Sequence, residues 1–172
     1  MDTFIFDAGP LTTTCKFYVN DQPIIDHILT YCKVIIARSV CEEVIVAGAG
    51  YPDARIAQQR IEQNRLVVLT PTENYELESL IAVYNLGKGE RDAILLANQV
   101  NLQDAILVID DHLAYLVSAR LKKQQPCFLL DVFIDLVKTK QMDKSLAIKI
   151  VKAIRLRYPP AFVEHTLLVL ER

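Results

Sequence analysis

A chain of 172 residues with 52% apolar side chains has material for one well-buried core and too little length for two full domains. Its net charge of −2 excludes a global positive field, so any contact with nucleic acid must use a local basic patch. Cys15, Cys32, Cys41 and Cys127 form neither a CxxC pair nor a Cys/His cluster; this argues against zinc and for small core residues in a reducing compartment. The start, MDTFIFDAG, has no basic leader, and no run nears the roughly 20 apolar residues of a membrane span. The expectation is a soluble, cytoplasmic protein with no membrane association.

Five short runs are nearly all apolar rather than alternating: residues 3–7, 33–37, 66–69, 106–110 and 127–130. Strands covered on both faces read this way, which predicts a parallel sheet of about five strands. Helical patterns alternate with them. Ser39 and Glu42 have the spacing of a capping box. Thr70, Pro71 and Glu73 suggest another helix start, with Leu77, Leu80, Ile81 and Tyr84 as its core face and Gly87 as its stop. Gly87-Lys88-Gly89 opens a third, with a stripe of Ala93, Ala97 and Val100. Residues 143–158 form an amphipathic helix ended by Pro159-Pro160, with a short helix after it. Strand and helix in alternation predict right-handed crossovers and an α/β, Rossmann-like, three-layer domain. Residues 1–140 form the α/β unit, and residues 141–172 a helical C-terminal extension of the same domain.

Sites in open parallel sheets lie beyond the carboxyl ends of the strands. Asp7 closes the first run, Asp110 and Asp111 the fourth, and Asp131 follows the fifth. Glu43 shares a helix face with Val40, Val44 and Ala47, where a buried unpaired charge is costly. Glu90 extends the Ala93/Ala97 stripe toward the strand ends, whereas Asp92 lies roughly 200° round the helix as a near neighbour. Taken singly, Asp110, Asp111 and Asp131 can each be a helix cap. Taken together, Asp7, Glu43, Glu90 and the Asp110/Asp111 pair converge from four segments. Two carboxylates about 4 Å apart repel by roughly 4 kcal/mol at an effective dielectric of 20. Such a cluster needs protons or a cation, and its all-oxygen donors suit Mg²⁺ or Mn²⁺.

The pieces FIFDAGPL, SVCEEV, LGKGERDAILLA and ILVIDDHLAYLVSARL, in this order, resemble the PIN-domain family. The resemblance implies a Mg²⁺- or Mn²⁺-dependent endoribonuclease that hydrolyses single-stranded RNA to a 5′-phosphate and a 3′-hydroxyl. It also implies a link to toxin–antitoxin systems, with an antitoxin protein as partner and a homodimer as assembly. Asp7, Glu43 and Glu90 carry over as catalytic metal ligands. The fourth acid is Asp110 or Asp111, with Asp110 expected as the strand-end residue. Ile109 stands where relatives carry Ser or Thr. Lys88 and Arg91 flank Glu90 and are placed to meet a phosphate. A further basic group lies at Lys138, Lys140, Lys144, Lys149, Lys152, Arg155 and Arg157. Tyr18, Tyr51 and Tyr115 are read mainly as packing residues. The competing reading is a non-catalytic PIN-fold module that binds nucleic acid or protein. A phosphatase using Asp7 as nucleophile would carry a second aspartate where Gly9 stands.

Overall fold

The computed structural model describes residues 2–121 and 125–172. In chain order the elements are β1 (Thr3–Phe6), α1 (Ala8–Lys16), β2 (Tyr18–Val19), β3 (Gln22–Pro23), α2 (Ile24–Tyr31), β4 (Lys33–Ala37) and α3 (Arg38–Cys41). A π turn over Glu42–Val46 continues α3, followed by α4 (Pro52–Glu62), β5 (Leu66–Leu69), α5 (Tyr75–Ala82), α6 (Lys88–Ala97) and β6 (Ile106–Val108). The chain ends in α7 (His112–Leu121), α8 (Leu129–Lys138), α9 (Lys144–Ile154) and α10 (Pro160–Glu171).

Four strands, all parallel, make the central sheet in the order β5-β4-β1-β6. Phe4, Ile5 and Phe6 of β1 and Val34, Ile35 and Ile36 of β4 are all buried. That is why these runs are nearly all apolar: helices cover both faces. From β1 the chain builds outward to β4 and β5, then returns to place β6 on the other side of β1. The strand order therefore reverses between β1 and β6, and such a switch point opens a crevice at the carboxyl ends of the strands.

The expected fifth strand over residues 127–130 is reduced to a single parallel bridge between Val108 and Cys127. Asp131 is the cause. Its Oδ2 accepts the Phe128 N–H at 3.1 Å, which starts α8 at Leu129 and draws Leu129 and Leu130 into helix. The helix expected from Thr70 starts instead at Tyr75. Asn74, a stronger cap than Thr, accepts the Leu77 N–H on Oδ1 at 3.1 Å, and Glu78 takes the place expected of Glu73 by reaching back to the Asn74 N–H. Of the expected core face only Ile81 is fully buried; Leu80 is exposed. The Ser39–Glu42 capping box is absent as well. Helix α3 starts directly at Arg38, so Ser39 lies inside it with a buried Oγ that has no partner. The Ala93/Ala97 stripe stops short of Val100, which is exposed in a separate turn. A two-stranded hairpin, β2-β3, escaped the sequence reading; its signal is Asn20-Asp21, both at positive φ in a two-residue turn.

The C-terminal extension is longer and better packed than a short final helix. In α9, Ala147, Ile150, Val151 and Ile154 are buried as their spacing predicts. The twelve residues of α10 pack on α8 and α9. Cys15 and Cys32 are buried, with Cys41 and Cys127 at the margin of the core. No helix among the described residues is long and apolar enough to cross a membrane.

Away from the switch point, Asp26 of α2 accepts hydrogen bonds from Arg60 (2.6 Å from both Nε and Nη2) and from Arg65 (2.8 Å), tying α2 to the end of α4 and the start of β5. Burial pushes the Asp26 carboxyl up, but the two guanidinium groups outweigh it and hold it below its ordinary value. A lowered carboxylate contributes stability above its unfolded pKa and loses it as pH falls through the folded one. Asp26→Ala is therefore expected to cost about 2 kcal/mol at neutral pH. Urea unfolding should show this gap closing as the pH is taken below 4, near the ordinary Asp value of 3.8.

Candidate functional site

The switch point holds the acids. A depression of about 270 Å³ is lined by Asp7, Glu43, Glu90, Asp110 and Asp111, with the backbone of Ala8, Gly9, Gly87 and Gly89. Each acid arrives from a different local cause. Asp7 leaves β1 as the N-cap of α1, in extended backbone geometry, but its side chain makes no capping bond. Its N–H continues the ladder to Val108 O at 3.1 Å, which fixes it beside β6. It is only 6% exposed, and its Oδ1 has no hydrogen-bond partner.

Glu43 sits in the π turn after α3, where the Ala47 N–H bonds to Glu42 O at 3.0 Å. The widened turn rotates the following residues relative to an ordinary helix. Glu43 and Ala47 are consequently exposed rather than on the sheet-facing side, although Glu43 still reaches the depression. Glu90 lies in the first turn of α6, half-buried, and its Oε2 accepts the Gly87 N–H at 2.8 Å. It thus fixes the helix entry while its carboxyl stays at the crevice.

Asp110 and Asp111 divide their duties. Asp111 caps α7, its Oδ1 accepting the Ala114 N–H at 2.8 Å. Asp110 accepts the Leu129 N–H on Oδ1 at 3.1 Å and the Tyr158 hydroxyl on Oδ2 at 2.6 Å. Burial raises the Asp110 carboxyl above its ordinary value, with those two hydrogen bonds and Arg157 pulling against it. Burial also raises Asp7, to about 7; the Ala8 N–H opposes this, and the charges of Glu90, Glu43 and Asp110 add to it. The acids therefore feel one another even though they come from distant segments.

Gly89 makes the room. A Cβ built there would stand 3.0 Å from Glu43 Oε2, 3.3 Å from Val40 Cγ2 and 3.7 Å from Asp7 Oδ1. Sequence reasoning passed over this residue. The signal was a glycine in the first turn of a helix, where Ala would be favoured by about 1 kcal/mol. It also missed Tyr158, which crosses from the C-terminal extension to Asp110.

Other expected site residues lie elsewhere. Arg91 and Asp92 line a separate depression with Pro71, Glu73 and Ile81, so Asp92 is not among the clustered acids. Lys88 is exposed and pairs with Glu42 at 3.5 Å, which gives Glu42 a surface role in place of the expected cap. Asp131 is the α8 cap. Tyr18 and Tyr51 are exposed rather than packed, while Tyr115 stacks on Phe128. Of the C-terminal basic group, Arg157 is the one that lines a cavity beside Asp110.

Divalent metal was the expectation, and the residues fit it in chemistry. The orphaned, buried Asp7 Oδ1 and the all-carboxylate donor set both call for a hard cation. They do not yet form a closed ligand shell: among the described residues, no three His, Cys, Asp or Glu side chains are grouped closely enough to hold an ion.

Asp7 carries a stability consequence. Its folded pKa lies above the unfolded 3.8, so the native state holds more protons between about pH 4 and 7 and stability falls as pH rises through that window. In the presence of EDTA, Asp7→Asn is expected to raise the melting temperature at pH 8, by at least ~1 kcal/mol of stability. The gain should shrink as the pH is lowered through this window and vanish only below about pH 4, where the carboxyl is neutral in both the folded and the unfolded state. Equal melting temperatures for the two proteins at pH 8 would show that Asp7 carries no such burden.

No curated protein and no solved structure matches the chain. A family model described as PIN domain, a nuclease-type fold, matches residues 3–162, spanning the parallel sheet, all five clustered acids and the start of α10. With the acids gathered at the reversal of strand order and the match covering most of its length, the chain belongs to the PIN-domain family.

Proposed function

We propose that this protein is a Mg²⁺- or Mn²⁺-dependent endoribonuclease that hydrolyses phosphodiester bonds of single-stranded RNA. The observation that carries the reading is the buried Asp7 carboxylate, with one oxygen unsatisfied, at the centre of acids from four segments. A bound ion would neutralise the phosphate and lower the barrier to in-line attack by water, giving a 5′-phosphate and a 3′-hydroxyl. Asp7, Glu43 and Glu90 would hold it, with Asp110 as the fourth acid. Asp110 rather than Asp111 is assigned because its charge acts on Asp7, whereas an Asp111 oxygen is committed to capping α7. Glu90 keeps its carboxyl in place through the Gly87 N–H, and Tyr158 orients Asp110. To hold an ion Asp7 would have to be the carboxylate, and so would release the proton that burial lets it keep near neutral pH. Cytoplasmic location, homodimerisation and pairing with an antitoxin belong to the same proposal and rest on the family resemblance.

A second reading, a PIN-fold module that binds RNA without cutting it, is favoured by one observation. Both oxygens of Asp110 already accept hydrogen bonds within the chain. The two readings separate in a cleavage assay on defined single-stranded RNAs with Mg²⁺ or Mn²⁺. The nuclease reading expects cutting by the wild type, abolition by EDTA, and a fall of at least about 100-fold in Asp7→Asn and Glu90→Gln, given the loss of a transition-state charge partner. Tight binding without turnover under either ion would establish the second reading.

Gly89 offers an independent check. In Gly89→Ala the new methyl meets the far end of the flexible Glu43 side chain, which yields cheaply, and the buried Val40 Cγ2 at 3.3 Å, which must give by a few tenths of an ångström against the gain in helix propensity. The melting temperature is expected to stay close to that of the wild type. Cleavage should drop about tenfold, the cost of moving one ligand by a few tenths of an ångström to an ångström. Unchanged cleavage in Gly89→Ala would remove Glu43 from the ligand set.

A further inference from the structure

A second cavity, of about 420 Å³, opens beside the acidic depression and shares Gly9 and Asp110 with it. The C-terminal extension supplies part of its wall, with Arg157, Tyr158, Phe162 and Thr166, and Phe128 stands on the α8 side. Nothing in the proposed hydrolysis uses it. We propose that this cavity holds one unpaired base of a single-stranded RNA, the base of the nucleotide next to the phosphate seated at the acids. The placement beside the scissile bond rests on the nuclease reading; the base site itself does not.

Three observations point to this occupant. The first is a ladder of rings. Tyr115 and Phe128 stack at 4.5 Å and 5°, and Phe128 and Phe162 follow at 6.1 Å and 23°. Phe162 ends the ladder 56% exposed, an apolar surface left uncovered within the chain. A nucleobase is a flat π system, and stacking on aromatic side chains is how single strands are held without base pairing. The second is the division of charge. The exposed Arg157 brings a cation to the rim, suited to a phosphate, and Asp131, one oxygen of which caps α8, brings a carboxylate to the wall, an acceptor suited to base N–H groups. The third is continuity. Asp110 borders both spaces, and Tyr158 lines the cavity while donating to it, so a strand crossing the acids passes directly over this opening. The volume lies within the roughly 300–1,000 Å³ of small-ligand sites, ample for a base with its ribose.

The test is fluorescence anisotropy of a short labelled single-stranded RNA with the full chain in EDTA, where no turnover is required. Phe162→Ala is expected to weaken binding about tenfold, the loss of one base stack. Phe162→Trp should retain affinity, and Leu168→Ala, an exposed apolar change on the same helix, should leave it unaltered. Melting curves of all three variants identify any loss due to unfolding, and the tryptophan variant keeps the test decisive if the alanine variant does not fold. Wild-type affinity in Phe162→Ala, weak binding in Phe162→Trp, or no saturable binding by the wild type would each overturn the proposal. So would displacement by AMP or UMP as readily as by unlabelled RNA, which would assign the cavity to a free nucleotide. Sizing chromatography covers another occupant: a dimer broken by Phe162→Ala would assign this face to a second copy of the chain. Binding that depends on Phe162 with no cleavage under Mg²⁺ or Mn²⁺ would leave the base site standing and defeat the nuclease reading alone.

Discussion

The burial of one carboxylate organises this molecule. Asp7 sits where the strand order reverses, almost wholly out of water, with an oxygen that no group in the chain satisfies. An isolated buried carboxylate is among the more costly groups a protein can hold, and here three other acids raise that cost further. The rest of the fold has to offset it. It does so with a dense core: β1 and β4 are buried on both faces, and α6 packs against both strands and against β6. The sheet that supplies the stability thus also fixes the position of the residue that subtracts from it.

How far the sequence disclosed this follows from where each signal was local. The four strands were legible because a doubly covered strand is nearly all apolar, a pattern carried by three to five consecutive residues. Asp7, Glu90, Asp110 and Asp111 were legible because each stands just past such a run or at the start of an apolar helix stripe. The failures came where two local preferences competed. At residues 70–74 both Thr70 and Asn74 offer a cap, and the helix starts from Asn74, the stronger of the two. At residues 127–130 an apolar run suits strand or helix equally, and the backward reach of Asp131 decided for helix. Glu43 was placed on the right segment, but its exposure was not foreseen, because a π turn leaves no mark in hydrophobic spacing. Tyr158 was invisible, since its hydrogen bond to Asp110 spans 48 positions of sequence.

That hydrogen bond changes how the C-terminal extension is understood. On sequence grounds residues 141–172 are an appendage to an α/β unit. In the fold they are part of the site's wall. The Tyr158 hydroxyl fixes Asp110, Arg157 places its charge beside it, and Phe162 joins the ring ladder begun by Tyr115 and Phe128. The family match likewise runs past residue 141 without a break, into α10.

The geometry of α6 shows the same compromise between holding the fold and leaving the site open. Most of this helix does ordinary core work: Ala93, Ile94, Leu96 and Ala97 are fully buried. Its first turn breaks with that pattern. Gly89 gives up helix propensity there, and Glu90 spends one oxygen on the Gly87 N–H. A methyl at position 89 would improve the helix and crowd Glu43, and a hydrocarbon at position 90 would extend the buried stripe and empty the crevice of a carboxylate. Both features fall in the one turn that faces the acids; the glycine costs local stability, while the Glu90 carboxylate caps the helix entry. In a helix otherwise built for burial, the glycine is the local stability given up where a side chain would crowd the Glu43 and Asp7 oxygens.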